Sequence, residues 1–204
     1  MSNIAIHTFF RRIALAIPTS GSASKTHSEA KSLLSAGILA VLAAIAITIS
    51  AKIQVPFWPV PMTLHTLAVF LTASLLGPRI GVASMVIYLG AGAIGWPVFA
   101  NSPERGIGLA YLLGPTGGYL LGYLAASAIV GYFAAGRGFI QRLLVMLIAL
   151  GVVYALGVAW LARFVPTDAL LASGVTPFLL GDGLKVVAAA LITTGLLRAF
   201  GGRR

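Results

Sequence analysis

The stretch Leu143-Leu144-Val145-Met146-Leu147-Ile148-Ala149-Leu150-Gly151-Val152-Val153-Tyr154-Ala155-Leu156-Gly157-Val158-Ala159-Trp160-Leu161-Ala162 carries no charge and is bounded by Arg142 and Arg163. A helix rises about 1.5 Å per residue, so a run of this length matches the roughly 30 Å hydrocarbon core of a bilayer. Similar apolar runs extend from Lys31 to Lys52, Met62 to Leu76, Ile80 to Phe99, Tyr111 to Ala134 and Pro177 to Leu197. Together they predict an all-α, polytopic membrane protein with six transmembrane helices in one domain, residues 32–204, preceded by a tail, residues 1–31.

Composition supports this reading. The 204 residues are 59% apolar and 9% charged, with a mean hydropathy of +1.00, whereas soluble domains carry about 25% charged residues. The formal charge of +10 is spread singly between apolar runs rather than gathered on a face with interleaved aromatics, which argues against nucleic acid as a partner. Without cysteine there is no disulfide, thiol nucleophile or thiolate metal site.

In the tail, Arg11 and Arg12 precede the short run Ile13 to Ile17, which Pro18 ends; this is too short for a secretory signal and fits an interfacial helix over residues 4–17. Val55-Pro56-Phe57-Trp58-Pro59-Val60-Pro61 reads as a loop, because proline lacks the donor that a helix needs. Alternate connections divide the 14 Lys and Arg residues unevenly. Arg11, Arg12, Lys25, Lys31, Arg79, Arg137, Arg142, Arg198, Arg203 and Arg204 fall on the amino-terminal side, and Lys52, Arg105, Arg163 and Lys185 on the other. Cytoplasmic loops hold the basic excess, so both termini are expected in the cytoplasm. The acids Glu104, Asp168 and Asp182 then face outward, with Glu29 inside. No internal repeat is visible, which argues against a transporter that rocks about a midplane site.

Asp182 and Lys185 carry most of the chemistry. They stand on one helix face within Pro177-Phe178-Leu179-Leu180-Gly181-Asp182-Gly183-Leu184-Lys185, where an ionisable group is costly unless it faces a bundle interior or a wet cavity. Two readings fit: a site for a small ligand bearing both donors and acceptors, or an internal ion pair. Asn101 and Tyr111 lie in the loop region from Ala100 to Gly108 and just beyond it, either as parts of a lid over a flat ligand or as an ordinary turn with an interfacial ring. Gly118 and Gly122 are spaced for close helix packing rather than phosphate binding. Ala36, Ala40 and Ala44 form a small-residue stripe on which another helix can lie, from this chain or from a partner subunit. His65, with no second histidine near it, reads as a helix-end residue bonded locally and not as a metal ligand. No phosphate-binding Gly-x-x-x-x-Gly-Lys-Ser/Thr loop and no Gly-x-Ser-x-Gly elbow occurs.

Five short segments in order resemble the biotin-specific S-components (BioY family) of energy-coupling-factor (ECF) transporters over about residues 32–200. They are Val60-Pro61-Met62-Thr63-Leu64-His65-Thr66-Leu67-Ala68-Val69, Leu76-Gly77-Pro78-Arg79-Ile80-Gly81, Ile94-Gly95-Trp96-Pro97-Val98-Phe99-Ala100, Leu113-Gly114-Pro115-Thr116-Gly117-Gly118-Tyr119 and Gly181-Asp182-Gly183-Leu184-Lys185. The resemblance implies a six-helix, non-enzymatic vitamin-binding subunit of the cytoplasmic membrane, with no cofactor or metal. Its implied biotin ligands are Asp182 and Lys185, with Asn101 and Tyr111 contributed from the loop side. It also implies that Ala36, Ala40 and Ala44 dock on a transmembrane coupling protein that works with two ATPase subunits. In two places the chain departs from the family pattern: Ser102-Pro103-Glu104-Arg105 replaces a glycine-rich loop, and His65 stands where Gln is expected. The competing readings are the same scaffold tuned to another vitamin, an intramembrane enzyme, for which a paired acid is missing, and an assembly subunit without a ligand.

Overall fold

The computed structural model describes residues 24–55 and 59–200. The anticipated interfacial helix over residues 4–17 lies outside this range, as does the centre of the proline-rich connector. The chain folds as α1 (Ser24–Lys52), β1 (Gln54–Val55), β2 (Met62–Thr63), α2 (His65–Ala93), α3 (Gly108–Leu112), α4 (Gly117–Phe133), α5 (Phe139–Leu161), a 3-10 turn (Thr167–Ala169), α6 (Leu170–Gly174) and α7 (Thr176–Phe200). The two short strands pair antiparallel, Gln54 with Thr63 and Val55 with Met62, and so close the connector at its base.

Four segments among the described residues are long and apolar enough to cross a bilayer: Ser32–Lys52, His65–Ala93, Phe139–Leu161 and Thr167–Phe200. α4 is shorter, at 17 residues. The second of the four is not one straight helix. Gly77 adopts φ 81° and ψ 177°, outside helical space, and Pro78 follows it. A methyl group on Gly81 would stand 2.9 Å from Ala73 Cα, although eight residues of straight helix span roughly 12 Å. The arms His65–Leu76 and Pro78–Ala93 therefore lie side by side, in keeping with the separate apolar runs Met62 to Leu76 and Ile80 to Phe99. Only glycine takes this backbone conformation readily, and a Cβ on Gly77 would stand in open space. Gly77→Ala is thus expected to cost about 1–3 kcal/mol through backbone strain alone, read as a lower thermal midpoint in detergent. Gly90→Ala, also in open space but in regular helix, should not lower it.

Two predicted boundaries need correction. Ile94 to Phe99 does not continue the helix, because Gly95 turns at φ 101° and Pro97 supplies no donor. Phe99 instead folds back onto Gly92, where a Cβ would come within 1.9 Å of its ring. Likewise Tyr111 to Ala134 is not one helix: it breaks over Gly114-Pro115-Thr116 between α3 and α4.

Packing follows small residues. Gly118 meets Trp160 and the Leu156 carbonyl, Gly122 meets Val153, and Gly157 seats the Tyr119 ring, so α4 and α5 approach closely. At the opposite end of α4, Gly131 rests on Gly77 and Pro78. α1 packs on α2, and α7 crosses α2 and α5. The alanine stripe of α1 is part of this internal packing. Ala40 is 3% and Ala44 5% exposed, with Ile47 and Ala51 continuing the same buried face, and Ala36 is half-buried. Of the three alanines of the stripe, Ala40 and Ala44 are thus covered within this chain and Ala36 keeps part of its surface open. Leu33, Ile38, Leu42, Ile49, Ile148, Leu180 and Leu191 point outward while Ser84, Ser127, Arg142, Asp182 and Thr193 are buried, the inside-out distribution that lipid as solvent requires.

Candidate functional site

A cavity of about 600 Å³, mouth included, lies at the end of the bundle where α1 and α5 finish and where α2, α4 and α7 begin. Its lining is mostly apolar and aromatic, with Tyr88, Tyr111, Tyr119, Tyr123, Tyr154 and Phe178 around one carboxylate, Asp182. This is the composition expected of a small-molecule site: broad apolar walls with a few fixed polar groups.

Asp182 sits in the second turn of α7 and is 6% exposed. Oδ1 accepts from Lys185 Nζ at 2.9 Å and from Thr66 Oγ1 at 3.0 Å, and Oδ2 accepts from Tyr154 Oη at 2.8 Å. Tyr123 extends the chain, its hydroxyl lying 2.6 Å from Thr66 Oγ1. A carboxylate has about four lone-pair sites, so three donors leave roughly one, on Oδ2, for a ligand N–H. Lys185 supplies the counter-charge without being a lining residue. The ion-pair reading of Asp182 and Lys185 and the ligand reading are therefore compatible, since the pair fixes the carboxylate at the cavity wall while one acceptor position stays open.

Tyr111 also lines the cavity. Its hydroxyl donates to the Ala100 carbonyl at 2.7 Å, and its ring stacks on Phe99 with centroids 4.7 Å apart. Burial raises the Tyr111 phenol above its ordinary value, which keeps the proton on that donor. Asn101 is placed differently. It takes a positive φ of 52°, its side chain pairs with Gln54 beside the β-ribbon, and it is not among the lining residues. Next to it, Lys52 Nζ donates to the Phe99 and Ser102 carbonyls, each at 2.8 Å, and to Ser102 Oγ at 2.9 Å. Together these bonds strap the loop after α2 to the end of α1 and set Ala100 into the cavity wall.

Thr66, Tyr123 and Tyr154 do not stand out in the sequence, although they hold Asp182 or each other. The available signals are polar tips inside apolar runs: Tyr154 within the uncharged fifth segment, and Tyr119 and Tyr123 one turn apart on one face of the fourth. Among the described residues no group of three His, Cys, Asp or Glu side chains is arranged to hold a metal ion.

Known proteins resemble this chain in sequence and in fold. "Probable biotin transporter BioY" of Pyrococcus horikoshii is 41% identical over 149 residues, 73% of this chain and 88% of the relative. "Biotin transporter BioY" of Thermotoga maritima is 39% identical over 168 residues, 81% of this chain and 95% of the relative. In structure the chain is similar to the S-component for biotin from an ECF-type ABC transporter, with a TM-score of 0.67 at 24% identity, covering 87% of this chain and 94% of the other. The BioY family model matches residues 22–202, nearly the whole of the chain, and the chain belongs to that family.

Proposed function

We propose that this chain takes up biotin across the cytoplasmic membrane as the substrate-binding S-component of an ECF-type transporter, crossing the bilayer six times with both termini in the cytoplasm. The observation that carries this reading is the partly used carboxylate: Asp182 is held by Lys185, Thr66 and Tyr154 on the wall of an aromatic cavity, with acceptor capacity left over. Biotin suits such a site. Its ureido ring presents N–H groups to an acceptor, and its thioether ring and valeryl chain suit tyrosine and aliphatic walls. Asp182 and Tyr111 contact the vitamin in this reading, Lys185 balances the charge of Asp182, and Asn101 acts through Gln54 to set the loop over the mouth. The names and sequence similarity of the relatives support the ligand.

The split of ten basic residues against four supports the orientation, in which the cavity opens on the outer face beside Lys52, Arg105 and Arg163. Two arms of α2 separated at Gly77, with α1, α4, α5 and α7, supply six crossings. Neither arm nor α4 reaches about 20 residues, so the bilayer around them is thinned or their loops sit within the interface. Capture and release need no bond-making step, and the role proposed is accordingly not enzymatic. Energy comes from partners, a transmembrane coupling protein with two ATPase subunits, whose seat must be reached without opening the buried Ala40 and Ala44 face or after α1 has moved.

Calorimetric titration of the detergent-purified chain with biotin, thiamine and riboflavin tests the proposal. Stoichiometric heat from biotin alone is expected. Heat from thiamine or riboflavin in place of biotin would assign the scaffold to another vitamin, and no heat from a folded sample would remove the ligand assignment.

A further inference from the structure

His65 is the helix-end residue that its sequence position suggests, its backbone N–H donating to Thr63 Oγ1 at 3.2 Å, but its ring Nε2 finds no local partner. The residue opens α2, lines the cavity and is 3% exposed. Its Nε2 is buried without a hydrogen-bond partner, the one such side-chain nitrogen or oxygen among the described residues that line the cavity. The ring is wedged between Tyr88 and Tyr123, with centroids 5.1 Å and 4.6 Å away. The residue that follows it, Thr66, carries the hydroxyl bonded to Asp182. A purely structural imidazole in this place would be expected to find a partner, because an unpaired buried polar atom is destabilising.

Most of the other polar groups that line the cavity are already bonded. Tyr111 donates to the Ala100 carbonyl, Tyr119 to the Gly174 carbonyl and Tyr154 to Asp182, and Thr66 is shared between Asp182 and Tyr123. Asp182 can only accept. A ligand ring with N–H groups on one side and a carbonyl on the other therefore draws its donor from the groups that remain, the His65 imidazole and the Tyr88 and Thr63 hydroxyls, and of these His65 holds the buried atom that has no partner. A neutral imidazole supplies one, and its tautomer follows whatever bond the ring makes.

We propose that His65 contacts the ligand and determines selectivity: its imidazole N–H donates to the ureido carbonyl while Asp182 accepts from a ureido N–H. This inference rests on the biotin reading above. It makes the departure from Gln at this position a replacement of one side-chain donor by another.

The test is calorimetric titration of the full chain in detergent with biotin and with 2-iminobiotin, whose guanidine group replaces the ureido carbonyl oxygen by nitrogen. The proteins are the unmodified chain, His65→Leu and His65→Gln. His65→Leu should bind biotin about 10- to 100-fold more weakly, the worth of one hydrogen bond plus the penalty of an unpaired ligand carbonyl. His65→Gln keeps a donor and should stay within about 5-fold. The unmodified chain should prefer biotin to 2-iminobiotin, and His65→Leu should shrink that preference. Equal affinity of the unmodified chain for the two ligands overturns the inference without needing any variant to fold. Biotin binding by folded His65→Leu at unmodified strength overturns it as well and leaves the proposed function standing. Failure of the unmodified chain to bind biotin overturns both.

Discussion

Asp182→Leu is expected to weaken biotin capture sharply and to destabilise the fold together. The substitution strips the acceptor from three donors at once, Lys185, Thr66 and Tyr154. The Lys185 side chain is only 12% exposed and is left as a buried cation without its partner. Breaking one side of a buried ion pair typically costs about 3–5 kcal/mol. Loss of a charge-assisted bond to the ligand accounts for a further fall in affinity of about 10- to 100-fold. The double variant Asp182→Leu, Lys185→Met separates the two effects. It removes both charges, so thermal stability should return toward that of the parent protein while biotin binding stays weakened. Asp182→Asn keeps the shape, yet places an amide N–H₂ among donors and should lose affinity with a smaller loss of stability. Retention of full affinity in any folded Asp182 variant would remove this carboxylate from the site.

Gly118→Leu should leave no correctly folded bundle. A Cβ at this position would lie 2.2 Å from Trp160 Cβ and 2.5 Å from the Leu156 carbonyl oxygen, and a backbone oxygen in a helix cannot step aside. The helices must separate, which breaks the 3.0 Å bond from Trp160 Nε1 to the Gly114 carbonyl and shifts Tyr119 and Tyr154 at the cavity wall. Even Gly118→Ala is expected to cost about 1–3 kcal/mol by overpacking, seen as a reduced thermal midpoint with weaker biotin binding. Gly151 is the matched control: it lies in α5 with open space where a Cβ would stand, so Gly151→Ala should be neutral or stabilising by up to about 1 kcal/mol. Indistinguishable midpoints for Gly118→Ala and Gly151→Ala would mean that the α4–α5 contact is looser than described.

The elements legible in sequence are those set by solvent. Long uncharged runs such as Leu143 to Ala162 can satisfy their backbone only as helices in lipid, and α5 spans Phe139–Leu161, within a few residues of that run. The glycines Gly118 and Gly122 are readable as packing positions because their spacing places both on one helix face. Less legible are boundaries decided by tertiary contact. Ile94 to Phe99 is as apolar as a helix, but Phe99 finds its place by folding back onto Gly92 and Tyr111. The site divides in the same way. Asp182 and Lys185 stand out because charge is rare in such a chain, whereas Thr66 and Tyr154 are ordinary residues that matter only because α2 and α5 bring them to one carboxylate. The alanine stripe shows the limit of a one-dimensional pattern: small residues mark a place where a helix can lie, and α2 already packs on α1, with Ala40 and Ala44 buried.

Because the chain has no cysteine, one introduced thiol reports on one place. Thr116 is a half-buried residue of the cavity wall, and Arg137 is exposed in the turn between α4 and α5. Maleimide labelling of Thr116→Cys and Arg137→Cys, each with and without saturating biotin, asks where the vitamin sits. Biotin should protect the thiol at Thr116 and leave the one at Arg137 reactive. Equal labelling of Thr116→Cys with and without biotin, in a variant shown to bind it, would contradict the placement of the ligand beside Asp182.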